Sequence, residues 1–144
     1  MKLSNIEFGF DNFLAEMKKL KTEKHFDYLV TIVGEDFGPE EGLGCIYILE
    51  NTQTHERISV KQLAKQLGDE YVIPSIYHVW ASSDLLEREV YDFLGIKFLG
   101  HPDMRRLFMR NDFEGWPLRK DFDMSPEKNQ FPMTDEPESD WTSE

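Results

Sequence analysis

Apolar residues at Phe10, Phe13, Leu14, Met17 and Leu20 fall at i, i+3, i+4, i+7 and i+10, a spacing that predicts one face of a helix. Lys18, Lys19 and Lys21 suit the negative pole at its C-terminal end. The pattern then changes. Residues 26–34 are rich in aromatic and β-branched side chains and predict a strand, and residues 43–50 a second. With the loop 35–42 between them they read as a long-looped hairpin. Weak alternation over residues 55–60 predicts a third strand, and residues 61–67 a short helix stopped by Gly68. Pro74 opens a predicted fourth strand over 75–80, with Ile76, His78 and Trp80 on one side and Tyr77 and Val79 on the other.

Asp84 with Glu87 three residues on has the form of a helix N-cap and its partner. Leu86, Val90, Phe93 and Leu94 continue as a helical apolar stripe, and Gly95 is placed as a left-handed stop. On this helix Arg88 and Asp92 stand one turn apart and are expected to pair, while Glu87 and Glu89 point in different directions, toward other partners or water. Residues 96–99 read as a short strand and 100–103 as a turn. One helical turn is expected from Pro102 through Met104, Leu107 and Phe108, then a turn over 112–115. The pattern therefore yields four or five strands and about three helices, an α+β domain over residues 1–122. Residues 123–144 differ: seven acids against one base, Pro126, Pro132 and Pro137, and no apolar period. Met124, Phe131, Met133 and Trp141 are spaced along this tail. They favour an extended acidic strap ordered on a partner's surface over a purely solvated tail.

Charge sharpens the picture. The chain has 144 residues and a net charge of −12, yet residues 87–122 are balanced, with seven Lys and Arg against seven Asp and Glu. The remainder carries the whole excess, nine bases against 21 acids. Such a chain is a poor nucleic-acid binder, because phosphate must be neutralised by a surplus of cations. No apolar run approaches the ~20 residues a membrane helix needs, so a membrane role is expected only through partners. A single cysteine and no secretory-type apolar start argue for a reducing compartment.

Five of the six arginines lie in residues 87–122: Arg88, Arg105, Arg106, Arg110 and Arg119. Gly95, Gly100, Pro102, Gly115 and Pro117 cut the segment into short pieces. A planar guanidinium matches a carboxylate two bonds at a time, so the expectation is a rigid brace built from arginine–carboxylate pairs. Catalytic patterns are absent from the sequence. One cysteine cannot supply an iron–sulfur or structural zinc site, and Cys45 falls within a predicted strand. The acids among Gly34, Gly38, Gly42 and Gly44 would repel phosphate. His78 reads as a hydrogen-bonded sheet residue. His101 stands in a charged loop, either as a general acid or base with Asp103 or Asp92, or as an anchor of the turn. The missing nucleophile or metal cluster favours the anchor.

Residues 87–122 resemble the signature of the C-type subunit of the proton-translocating NADH–quinone oxidoreductase, respiratory complex I. Glu87-Arg88-Glu89, Asp92, Phe93-Leu94, His101, Arg105 and Leu107 fill its first part, and Gly115, Pro117, Leu118, Arg119, Lys120 and Asp121 its second. Leu85 departs from the tryptophan common at that place. The resemblance implies a two-layer α+β fold with a mixed sheet. It marks Glu87, Arg88, Glu89, Asp92, His101, Pro102, Arg105, Arg106, Pro117, Leu118, Arg119, Lys120 and Asp121 as signature and partner-contact residues. It also implies a peripheral-arm component with no redox centre or catalytic residue of its own, at the cytoplasmic face of a bacterial inner membrane. FMN, iron–sulfur clusters and quinone are then expected in the partner subunits, above all those with the terminal cluster and the quinone pocket. The matching component of membrane-bound nickel–iron hydrogenases is the alternative within this resemblance.

Overall fold

The computed structural model describes residues 4–125. Nine elements follow one another: β1 (Ser4–Glu7), α1 (Phe13–Thr22), β2 (Tyr28–Asp36), β3 (Leu43–Glu50), β4 (Arg57–Leu63), β5 (Lys65–Leu67), β6 (Glu70–Pro74), α2 (Ser83–Leu94) and β7 (Ile96–Leu99). The α+β class holds, but the strands divide between two sheets. One has the order β1-β4-β3-β2 and the other β5-β6-β7. Both are mixed: β1 runs parallel to β4 and β6 parallel to β7, while the other pairs are antiparallel. Two α-helices, not three, occur among the described residues.

The predicted hairpin is β2–β3, with Ile32 opposite Tyr47 and Gly34 opposite Cys45. Leu43, Cys45, Tyr47 and Leu49 alternate inward along β3, joined by Ile58 and Val60 of β4. Helix α1 buries Phe13, Met17 and Leu20 against this face, and the Phe13 and Tyr47 rings lie 5.3 Å apart. The second sheet and α2 add Ile73, Ile76, Trp80, Val90, Leu94, Ile96 and Phe98 to the same core. Each fully buried side chain of this size contributes on the order of 1.5–3 kcal/mol. Gly34 lets α2 approach: a Cβ there would come within 2.6 Å of Leu94 Cδ1 and 2.7 Å of Val90 Cγ1.

Three local expectations fail for physical reasons. Residues 61–67 are the end of β4 and all of β5, not a helix. Lys61, Gln62 and Leu63 pair with Ile46, Cys45 and Gly44, and the sheet ladder overrides a weak helical preference. Residues 75–80 form no strand, which ends instead at Pro74. Ser75 Oγ accepts the Tyr77 amide, and Glu87 takes the Ile76 amide, so side chains remove backbone donors from any ladder. His78 is consequently an exposed turn residue rather than a sheet one. Residues 102–108 form no helical turn: the amides of Asp103, Leu107 and Phe108 are bound by side chains instead, as described below. The tail from residue 126, with Phe131, Met133 and Trp141, lies outside the described residues.

Candidate functional site

Helix α2 and the segment that returns over it, residues 100–122, bring the sequence-marked residues together. The helix begins at Ser83, with Ser82 at the N-cap, and ends at Gly95 in the left-handed region (φ 74°) as expected. Asp84 therefore sits in the first turn instead of capping it, and Glu87 is free to point inward.

Glu87 is fully buried and no arginine or lysine pairs with it among the described residues. Its Oε2 accepts the Ser75 hydroxyl at 2.7 Å and its Oε1 accepts the Ile76 amide at 2.8 Å. Burial pushes its carboxyl up to about 7, partly offset by those two hydrogen bonds and reinforced by Asp84. Of the two expectations for Glu87, partners rather than water are found: its acid end ties the turn after β6 to α2.

His101 lies beside it, its side chain fully buried and Nε2 4.0 Å from Glu87 Oε2. Nδ1 accepts the Asp103 amide at 2.9 Å and Nε2 donates to the Asp84 carbonyl at 3.2 Å. Asp84 Oδ1 is 3.0 Å from Nε2 but takes no hydrogen bond from it. Nδ1 is thus the accepting nitrogen of the ring. With both nitrogens engaged and no exposed ring atom, His101 is the anchor of the 100–103 turn.

Asp92, also fully buried, does not pair with Arg88. Its Oδ2 accepts three consecutive amides, Leu107 at 3.2 Å, Phe108 at 2.6 Å and Met109 at 2.9 Å. Its other oxygen stands 3.9 Å from Arg106 Nε. Arg88 reaches the same stretch from the other direction, donating to the Arg105 carbonyl at 3.1 Å and the Arg106 carbonyl at 3.3 Å. Acid and base on one helix face thus grip a single peptide segment by its donors and its acceptors. This corrects the expectation of guanidinium–carboxylate matching. Bidentate forks exist, Arg105 on Asp103 and Arg110 on Asp112, but both are local and exposed. The Arg105 fork holds the Asp103 carboxyl below its ordinary range.

The second half of the segment is organised by Trp116. Its ring lies 4.4 Å below the Arg106 guanidinium and 5.8 Å from that of Arg119, and 5.3 Å from the Tyr91 ring. A Cβ on Gly95 would meet the indole at 2.5 Å. Arg106 Nη2 donates to the Gly115 carbonyl at 2.8 Å, and Arg119 Nε to the Leu94 carbonyl at 2.6 Å, an open acceptor at the end of α2. The Leu118 amide returns to the Phe93 carbonyl at 3.0 Å. The Lys120 amide donates to Asp36 Oδ2 at 2.9 Å. That amide first, and the Gly38 amide second, hold the Asp36 carboxyl below its ordinary range.

Ser75, Asp36 and Trp116 do structural work here that sequence reasoning missed. Only Trp116 carried a signal, a large aromatic between Gly115 and Pro117. Glu89, Pro102, Leu118, Lys120 and Asp121 are outward members of the marked set, Leu118 61% exposed, while Pro117 is half-buried. Cys45 is fully buried in β3, and burial pushes its thiol up. No helix among the described residues is long and apolar enough to cross a membrane. Among the described residues, Glu87, Asp92 and His101 are thus engaged in holding the fold, and the outward members of the set present a charged surface.

Comparison with known proteins agrees with this geometry. The family described as "Respiratory-chain NADH dehydrogenase, 30 Kd subunit" matches residues 7–128. The chain is 46% identical over 137 residues to the C/D-type subunit of the NADH-quinone oxidoreductase of Phocaeicola vulgatus, covering 95% of this chain but only 26% of that protein. It is 35% identical over 117 residues to the C-type subunit of the NADH-quinone oxidoreductase of Moorella thermoacetica, covering 81% of this chain and 78% of the relative. Among solved structures, a trypsin-resistant fragment of Nqo5 superposes with a TM-score of 0.62 at 29% identity, over 69% of this chain and 80% of the fragment. A chain of an archaeal membrane-bound sulfane sulfur reductase gives a TM-score of 0.72 at 28% identity, over 85% and 74% respectively. The relatives named for NADH–quinone oxidoreduction favour that branch over the hydrogenase alternative. With its signature residues folded around α2 and the match running through nearly all of the described chain, the protein belongs to the family of the 30 kDa subunit of respiratory-chain NADH dehydrogenase.

Proposed function

We propose that this chain is a non-catalytic peripheral-arm subunit of a proton-translocating NADH–quinone oxidoreductase, bracing the cofactor-bearing subunits so that electrons pass from NADH to quinone. The observation that carries the proposal is the double grip of Arg88 and Asp92 on residues 105–109. It fixes an outward surface of charge and aromatic rings. Electron transfer depends on the spacing between carriers, so a rigid spacer serves the reaction indirectly. A relative in which the matching stretch is part of a larger C/D-type polypeptide supports a partner corresponding to the D portion. That partner and its neighbours are where FMN, iron–sulfur clusters and the quinone pocket belong in this proposal. Attachment to the membrane follows through them, at the cytoplasmic face of a bacterial inner membrane.

The test is co-purification in mild detergent, with subunits identified by mass, from cells making either the wild-type chain or Arg88→Ala. The expected result is an NADH-oxidising, flavin-bearing complex containing the chain, with less Arg88→Ala incorporated. A nickel–iron partner would move the assignment to the hydrogenase branch. Normal incorporation of the variant with full quinone reductase activity would refute the bracing role.

A further inference from the structure

A cavity of about 210 Å³ lies between β2 and α2, lined by Thr31, Ile32, Val33 and Gly34 on the strand and by Val90 and Phe93 on the helix, among others. Successive residues of a strand face opposite sides of its sheet. A cavity touched by four in a row therefore runs along the edge of the strand, not over one face. β2 is the outer strand of the four-stranded sheet and, among the described residues, is laddered only to β3. Every second amide and carbonyl on its free side is thus directed away from the sheet.

Exposed edges of this kind are normally guarded by lysine, proline or a bulge. Here the one irregularity falls between Leu29 and Thr31, and the sequence Thr31-Ile32-Val33-Gly34 beyond it holds neither lysine nor proline. Val33 is 47% exposed, and Leu118, 61% exposed, forms part of the far rim. Glu89 lines the slot from the helix and Glu35 follows Gly34 on the strand; both are exposed and neither is in an ion pair among the described residues.

We propose that the β2 edge and this slot receive an extended segment of a partner subunit, which adds as a further strand. Its side chains facing the slot are apolar, and lysine or arginine flanks them to meet Glu35 and Glu89. The pairing mode is strand addition, in which backbone bonds hold the segment and the apolar slot sets its register. A second copy of this chain is a poor occupant, because it would bring the same two acids and a charge of −12 to a like-charged surface. The inference rests on the reading of this chain as part of a larger complex and names one of its contacts.

The experiment compares hydrogen exchange in the isolated full chain and in the assembled complex, read by mass spectrometry on peptides covering residues 28–36. About half of these amides are expected to slow roughly tenfold or more on assembly. A photo-reactive amino acid at position 33 identifies the occupant, expected to be a partner segment with apolar residues between Lys or Arg. Val33→Lys and the double reversal Glu35→Lys with Glu89→Lys should weaken incorporation, while Val33→Thr leaves it intact. Exchange at the same rate in both states, or crosslinking to a second copy, would overturn the proposal while leaving membership of the complex in place. A chain that enters no complex at all would overturn both.

Discussion

Glu87 Oε2 lies 4.0 Å from His101 Nε2 with both side chains fully buried, and the histidine already spends its Nδ1 lone pair on the Asp103 amide. The carboxyl titrates at about 7 in the folded chain against an ordinary 4.5, mainly through burial. Between those values the folded state holds a proton that the unfolded state releases. Stability supplied by Glu87 therefore falls as pH rises from about 4.5 to 7, and is level above that. The gap corresponds to about 3 kcal/mol. Urea denaturation of wild type and Glu87→Gln at pH 5 and pH 8 isolates it: the variant should gain on the wild type by up to that amount at the higher pH. A difference that does not change with pH would show that Glu87 is ionised throughout.

Asp92 should be the least replaceable acid of the segment. Asp92→Ala strands the amides of Leu107, Phe108 and Met109, and each charge-assisted bond lost is worth about 1.5–3 kcal/mol before the loop reaches water. Because these amides can be solvated by local opening, a net loss of about 2–4 kcal/mol is expected. Hydrogen exchange should rise first at residues 107–109, and Asp92→Asn, which keeps one acceptor oxygen, should fall between wild type and alanine. Global unfolding with no prior local signal would contradict this role.

The two arginines that the pattern treats alike should behave differently. Arg105 makes an exposed fork to Asp103, two residues away, and Arg105→Ala is expected to leave stability unchanged within error. Arg88 binds two carbonyls across the fold, and its loss should cost about 1–3 kcal/mol. Thermal melts of the two variants side by side decide the matter, and equal losses would favour simple ion pairing at both positions.

How much of this the sequence carried differs by level. Periodicity located α1, α2 and the β2–β3 hairpin because each has one apolar face and one wet face, which is what a period reports. It misplaced residues 75–80 because Ser75 and Glu87 capture backbone donors there, and a bond between residues twelve apart leaves no trace in a local window. The same limit applies to Asp92. Sequence places an arginine one turn before it, and the nearest charge is the natural partner to assume. The actual partners are three amides fifteen to seventeen residues on, reached only once Gly95 and Gly100 turn the chain back. Residues that mark the family were readable. What each of them holds was a property of the folded return path.

Gly95 should not tolerate a side chain. Its left-handed backbone alone costs alanine about 1–2 kcal/mol. The indole of Trp116 fills the space a Cβ would need, at 2.5 Å, and its ring atoms are rigid. Gly95→Ala should therefore displace Trp116 from its contacts with Arg106 and Arg119 as well as lower the melting temperature. In a chain with Trp80 and Trp141 replaced by phenylalanine, the emission of Trp116 should shift to longer wavelength in the variant. Loss of stability without that shift would mean that backbone strain acts alone.

Gly34 and Cys45 offer a probe of how tightly α2 is seated. They stand opposite each other on β2 and β3, and the thiol is fully buried. Burial also pushes the thiol well above its usual range, so both inaccessibility and protonation slow its reaction. Labelling of the native chain by an aromatic disulfide at pH 8 should then proceed through opening of the fold, far below the rate for a free cysteine. In Gly34→Ala the new methyl group meets Leu94 and Val90, whose side chains are packed in the core and have little room to yield. Overpacking of this kind costs about 1–3 kcal/mol. If opening and closing are fast relative to labelling, the reaction should accelerate by roughly 5- to 150-fold, in step with the stability lost. A wild-type cysteine that reacts as fast as a free thiol would show that α2 does not seal β2 and β3.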